Sequence, residues 1–206
     1  MAFIAVIDYD SGNVRSVSKA IEFVGSKASV TKNKNEILSA DGVILPGVGA
    51  FGDCMNKLKA YNLVDTIYAF IDSKKPFLGI CVGLQLLFEK SFEFGEHEGL
   101  GIVKGQVKKF PDKKGFPIPH MGWNTINIKE KNPIFSGVDN DSYFYFVHSF
   151  YAKAKIDELS TTNYIIDFTS SINKDNVWGL QFHPEKSQTN GLKVLKNFCD
   201  ICEGKL

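Results

Sequence analysis

Residues 77–88 read Phe77-Leu78-Gly79-Ile80-Cys81-Val82-Gly83-Leu84-Gln85-Leu86-Leu87-Phe88. The apolar run 77–80 predicts a strand, and Leu84, Leu87 and Phe88 predict a helix directly after it. Between them, Gly79-Ile80-Cys81-Val82-Gly83 has the form of a nucleophile elbow with Cys where Ser is usual. Such a turn is tight and strained, so it lifts one side chain clear of the backbone, and flanking glycines let strand and helix approach. A helix that starts just past Cys81 favours its thiolate through free N–H groups and the helix dipole. A small buried residue at a tight strand-to-helix turn is the plainer reading of one such Cys. The surrounding chain favours the nucleophile.

Working outward, the first half alternates strand and helix signals. Residues 3–7 are an apolar run, Ser11-Gly12-Asn13 forms a turn, and Val14, Val17, Ile21 and Val24 make a helical stripe stopped by Gly25. Strands are expected at 28–31 and 42–45. One long amphipathic helix is expected from Asp53 to about Ile71, with Met55, Leu58, Leu63, Ile67 and Phe70 as its apolar members. Nearly continuous apolar strands separated by helices imply a parallel sheet covered on both faces.

From residue 101 to about 147 the pattern changes to strand-like pieces separated by turn residues. A further strand is expected at 177–182, and a closing helix at 192–202 carries Leu192, Leu195, Phe198 and Ile201 on one face. No repeat or linker interrupts the chain. The reading is α/β, one domain over 1–206, with partly antiparallel strands added late.

Composition excludes several classes. The 206 residues balance 24 Lys+Arg against 23 Asp+Glu, so no net field draws the chain to nucleic acid or an anionic membrane. No apolar run reaches the roughly 20 residues of a membrane span. The N-terminus meets Asp8 at once and does not read as a signal peptide. Four cysteines, at 54, 81, 199 and 202, are too few and too scattered for a disulfide framework, which fits a reducing cytoplasm. No spacing of acidic, His or Cys residues suggests a metal site, and Cys199-x-x-Cys202 fits helix positions better than a redox or zinc pair.

A thiolate needs a proton partner. His97 sits in a charged loop and reads as solvated, while His120 and His148 fit either a buried position or an interface. His183 ends an apolar strand and is followed by Pro184 and Glu185. In extended chain, residues two apart share a side, so Glu185 can stand behind His183 and fix its tautomer. Pro46-Gly47-Val48-Gly49, after the third strand, can turn backbone N–H groups toward an oxyanion. The stretch Gly47-x-Gly49-x-x-Gly52 also matches a dinucleotide fingerprint. Its ribose-binding acid would be Asp72, which falls at a helix end, so a dinucleotide-binding module is the minor alternative.

In order, PGVG (46–49), GICVGLQLLFE (79–89) and QFHPEKS (181–187) closely resemble class I glutamine amidotransferases. PHMGWN (119–124), YFVHS (145–149) and the early SGN (11–13) narrow the resemblance to the glutaminase subunits of imidazole glycerol phosphate synthases. It covers essentially the whole chain. Val82 and Leu84 stand where that family more often has Leu and Met.

The resemblance implies a flavodoxin-like three-layer domain that needs no cofactor or metal and hydrolyses L-glutamine to glutamate and ammonia. Cys81 would be the nucleophile, His183 its base and Glu185 the residue orienting it. Gly47, Val48, Gly49 and Val82 would hold the oxyanion. Gln85, Glu93, Ser149 and Phe150 match substrate-binding positions. Asn13, Pro119, His120, Met121, Gly122, Trp123, Asn124, Tyr145 and Lys186 match positions facing a cyclase subunit. That partner would be a (βα)8 barrel receiving ammonia for histidine biosynthesis as a heterodimer. A paralogue feeding surface-sugar biosynthesis would carry the same catalytic residues. A place in the chain's own core is the other reading of Trp123.

Overall fold

A computed structural model describes residues 1–206. In chain order the elements are β1 (Phe3–Ile7), α1 (Val14–Phe23), β2 (Lys27–Thr31), α2 (Lys34–Ser39), β3 (Gly42–Gly47), α3 (Phe51–Ala60), α4 (Val64–Asp72), β4 (Phe77–Cys81), α5 (Val82–Leu86), β5 (Phe88–Ser91) and β6 (His97–Glu98). The second half holds β7 (Val103–Lys109), β8 (His120–Thr125), β9 (Asn127–Ile128), β10 (Tyr143–His148), β11 (Phe150–Ala154), β12 (Glu158–Tyr164), β13 (Ile166–Lys174), β14 (Val177–Leu180) and α6 (Gln188–Cys202). Short 3-10 turns cover Pro133–Phe135 and Pro184–Lys186.

Five strands in the order β2-β1-β3-β4-β14 are parallel throughout. All residues of β3, β4 and β14 are buried, as the unbroken apolar runs require of a sheet covered on both faces. Helix α1 packs with α6 and α2 with α4. Right-handed crossovers put these pairs on opposite faces, which gives three layers. The strand order reverses between β1 and β3, so the crevice for a ligand opens beyond the carboxyl ends of the strands. Gly47 and Cys81 end β3 and β4 as register partners there.

Beyond β14 the same sheet continues antiparallel through β13 and β11 to β7, with β5 parallel to β7 and β6 at the edge. Strands β8 and β10 form a separate antiparallel pair. On β10, Phe144, Phe146 and His148 are buried while Tyr143, Tyr145 and Val147 lie on the more open face. That alternation is the period of two expected of a half-buried strand.

Three expectations needed correction. The helix expected from Asp53 to Ile71 is two helices, because Asn62 takes a left-handed conformation (φ 53°) and breaks the ladder while the apolar stripe runs on. Phe88 lies outside α5, which ends at Leu86, and begins β5 against Val103. The strand expected to reach Phe182 stops at Leu180. The short helix α2 had no stripe to reveal it, since Ile37 is its only buried residue.

Candidate active site

Cys81 is the last residue of β4 and precedes α5, at φ 57° and ψ −113°. That backbone is costly for any residue other than glycine and holds only where packing enforces it. The packing comes from glycines. A Cβ on Gly79 would lie 2.6 Å from the Gly83 carbonyl oxygen, and one on Gly83 only 1.9 Å from that of Leu45. Strand β3, the turn and α5 are thereby pressed together, and the thiol is presented at the strand end.

His183 and Glu185 meet as the sequence implies, though by a different backbone. Residues 184–186 form a 3-10 turn, not an extended segment. His183 Nδ1 stands 2.9 Å from Glu185 Oε1, and both side chains are buried. Asn13 Nδ2 donates to the same oxygen at 3.3 Å. A carboxylate against Nδ1 leaves Nε2 as the working nitrogen. His183 Nε2 has no hydrogen-bond partner of normal geometry, so its approach to Cys81 is looser than a formed hydrogen bond. Burial pulls the His183 pKa down, but the Cys81 charge and the Glu185 carboxylate outweigh it and raise it to about 10. This environment favours the imidazolium form of His183.

These groups open on a cavity of about 270 Å³ lined by Val48, Gly49, Cys81, Gln85, Glu93 and His183, with Val82, Pro119 and residues 147–150 also on its wall. That is a small site, suited to a ligand of amino-acid size. Gln85 Nε2 donates to the Phe150 carbonyl at 2.9 Å and to Gln181 Oε1 at 3.0 Å. Glu93 accepts the Phe51 N–H at 2.7 Å, and burial raises its pKa against that bond. A larger cavity of about 720 Å³ runs along residues 128–140 and carries no Cys or His.

On the oxyanion side, Gly47 is buried in β3, Val48 is 42% exposed and Gly49 has φ 97°. The Val48 carbonyl accepts from Ser11 Oγ at 2.6 Å and lies 3.5 Å from Cys54 Sγ. Val82 is the first residue of α5, where the N–H has no partner within the helix.

Residues 5–202 match the family described as glutamine amidotransferase class-I. The chain belongs to this family. It is a glutamine amidotransferase enzyme, and the curated relatives are similar over nearly full length. It is 54% identical to the imidazole glycerol phosphate synthase subunit HisH of Aquifex aeolicus, covering 94% of both chains. The HisH subunit of Geobacter metallireducens is 49% identical over 96% of this chain and 98% of its own, and that of Methanocaldococcus jannaschii is 49% identical over 96% and 99%. Among solved structures, PurLQS from Thermotoga maritima superposes with TM-score 0.76 at 19% identity, covering 98% and 99% of the two chains. Another, described as a glutamine amidotransferase, gives 0.73 at 15%, covering 97% and 98%. These two share the fold.

Within this amidotransferase the third glycine of the dinucleotide-like stretch is accounted for by packing against His97. Gly52 lies inside α3, and a Cβ there would be 2.7 Å from the His97 ring. The glycine makes room for His97, which is half-buried and not the solvated residue its charged loop suggests. Cys199 is buried in α6 and Cys202 is packed against Gly42, and no cluster able to hold a metal ion is present.

The residues matched to a partner face divide in two. Met121 and Trp123 are exposed, so Trp123 is not a core residue, and Tyr143, which was not among those matched, is exposed beside them. Trp123 and Tyr145 are cross-strand neighbours with ring centroids 6.1 Å apart, and Lys186 Nζ stands 5.8 Å from the Tyr145 ring. Pro119 is exposed, and Gly122 and Asn124 are half-buried. Asn13 is turned inward onto Glu185, and His120 is buried under β8, its ring 4.0 Å from that of Tyr164. The Tyr145 carbonyl accepts the His183 N–H at 2.9 Å, which ties β10 to the turn that bears His183 and Glu185. Asn13, expected to face a partner, instead holds Glu185, and the contacts of Gln181 with Gln85 and Cys81 were not legible because only the pairing of β14 with β4 brings them together.

Proposed function

We propose that the chain is the glutaminase subunit of an imidazole glycerol phosphate synthase, working through Cys81, His183 and Glu185. The observation that carries this reading is the buried His183–Glu185 pair, with Nε2 left free beside a cysteine held at positive φ. The Cys81 thiolate attacks the side-chain carbonyl carbon of glutamine. Negative charge develops on the oxygen, where the N–H of Val82 and the Gly47–Gly49 backbone stabilise it. His183 gives its Nε2 proton to the nitrogen, the C–N bond breaks and ammonia leaves a γ-glutamyl thioester. Water, losing a proton to His183, then releases glutamate and restores the thiolate.

Gln85, Glu93, Ser149 and Phe150 hold the substrate in the small cavity that they line. Ammonia passes to a (βα)8-barrel cyclase, docked on Met121, Trp123, Tyr145 and Lys186 as a heterodimer. The exposed aromatic stripe supports this, since large amphipathic rings supply contact area at little entropy cost. The relatives' names support the histidine pathway and, with it, a place in the cytoplasm, and the family match over 5–202 supports a single domain. No helix is long and apolar enough to cross a membrane.

The test is ammonia release from glutamine by the chain mixed with a histidine-pathway cyclase, with and without that enzyme's nucleotide ligand. Strong ligand-dependent release is expected, with the chain alone nearly silent until the 47–49 backbone is reoriented. If the cyclase gives no activation while Cys81 still takes a glutamine-like label, the pathway assignment is wrong and the chemistry stands.

A further inference from the structure

Two buried histidines outside the triad make a chain whose proton positions are fixed from both ends. At the outer end, the Asn124 amide is oriented by its neighbours: Oδ1 accepts the Thr125 N–H at 2.8 Å and Nδ2 donates to the Asn163 carbonyl at 3.0 Å. The same Nδ2 lies 3.2 Å from His120 Nε2, so that nitrogen accepts. A neutral imidazole accepting at Nε2 carries its proton on Nδ1, which then donates to His148 Nε2 at 3.0 Å. His148 in turn donates from Nδ1 to the Phe150 carbonyl at 2.8 Å. A carbonyl only accepts, so reading from this inner end gives the same protons. A charge on either ring would set two N–H groups against each other, and burial keeps both rings neutral, at pKa values of about 4 and about 3.

The inner end stands at the reaction. The Phe150 carbonyl also accepts from Gln85 Nε2, which donates to Gln181 Oε1, and Gln181 Nε2 lies 3.9 Å from Cys81 Sγ. His148, Phe150, Gln85 and Cys81 line one cavity. The outer end lies on β8, whose Met121 and Trp123 are exposed. Phe110, Phe146, Tyr164 and Phe168 surround the two rings. Packing alone would be served by two more phenylalanines. In such an apolar setting a fully satisfied polar chain fixes one geometry.

We propose that His120 and His148 are positioning residues for glutamine hydrolysis, forming a neutral, one-way hydrogen-bonded link from Asn124 on β8 to the Phe150 carbonyl and Gln85 at the glutamine pocket. The link moves no proton. It holds the pocket wall in register with β8, so a change at the β8 face is felt at Gln85. Its inner end rests on the glutaminase chemistry, and its outer end on the partner reading of β8.

The full chain carrying His120→Phe or His120→Asn tests this. Phe keeps the ring and loses both hydrogen bonds, while Asn keeps an N–H facing His148. The readouts are the kcat and KM for glutamine, thermal unfolding, and the rate at which 6-diazo-5-oxo-L-norleucine labels Cys81, alone and with the cyclase. For His120→Phe the expected result is a KM raised ~10-fold and labelling slowed ~10-fold, with kcat nearly unchanged, the scale of one buried hydrogen bond. His120→Asn recovers most of both. Asn124→Leu, cut at the half-exposed end, shifts KM in the same direction by a smaller factor and serves if His120→Phe does not fold. Unchanged KM and labelling in folded variants overturn the proposal, as does an equal loss in His120→Phe and His120→Asn, which would mark packing alone. With the cyclase, labelling of the native chain accelerates, and His120→Phe loses most of that acceleration. If the native chain shows no acceleration, the partner reading fails, and the KM contrast between Phe and Asn still decides the positioning role.

Discussion

His183 and His148 are both buried, at 2% and 7% exposure, and both are approached by cavity-lining groups. Yet His183 is pushed up to about 10 and His148 down to about 3. Burial lowers both, so burial does not make the difference. His183 has a carboxylate on one nitrogen and a thiol near the other. His148 has a carbonyl and a neutral imidazole. Partners that favour the cation raise one histidine, and partners that can be satisfied only by neutral rings leave the other depressed. Two histidines on one cavity wall are thus held in opposite charge states.

The largest test of the contrast is on the reactive side. Cys81→Ala should lower glutamine hydrolysis at least ~10³-fold, because the proposed mechanism routes the covalent step through that sulfur. Stopped ammonia release with retained cyclase binding is the expected pair of results. Glu185→Gln should cost about 10²- to 10³-fold in kcat, since an amide no longer favours the imidazolium. An NMR titration should then find His183 ionising well below its native value; an unmoved pKa would mean the carboxylate does not set it.

Stability should respond at both ends of the pH scale, with opposite signs. A raised histidine stabilises fully below its unfolded pKa, about 6.5, and loses that contribution as pH rises through about 10. Depressed histidines stabilise above about 6.5 and lose that contribution as pH falls through about 4 and about 3. Denaturant unfolding should therefore show an acid-side loss on the order of a few kcal/mol that shrinks in His120→Phe, and an alkaline loss that shrinks in Cys81→Ala. The smallest effect should come from Ser11→Ala. Freeing the Val48 carbonyl should raise hydrolysis by the chain alone about 3-fold, the scale of one modest hydrogen bond. A lowered rate would mean that Ser11 supports the reactive backbone.

Much of this was readable before the fold because the informative residues were local. Gly79, Cys81 and Gly83 state the turn between β4 and α5, and the unbroken apolar runs state a sheet buried on both faces. His183 and Glu185 are close in sequence, so their meeting survived even though the backbone between them is a 3-10 turn. What was not readable depended on distant partners. Phe88 is apolar in helix or strand alike, and only β7, reached later in the chain, makes it β5. Tyr61 and Asn62 interrupt a stripe that runs on at helical spacing, so periodicity cannot see the break. Buried Ser160, Ser170 and Ser171 look like loop residues until β12 and β13 bring their hydroxyls within 2.6–2.8 Å. His120 and His148 allowed a core or an interface, and their shared hydrogen bond exists only through the register of β8 with β10.

Strand β14 has one more consequence, for the order in which the molecule comes into being. It is the strip that bonds β4 on one side and β13 on the other. Until Val177–Leu180 leaves the ribosome, the two parts of the sheet have no seam, and the strand bearing Cys81 keeps an open edge. His183 and Glu185 follow directly after that seam. Synthesis therefore delivers the closing strand and the His183–Glu185 pair together, and the strand end that holds Cys81 gains both only when the sheet is whole.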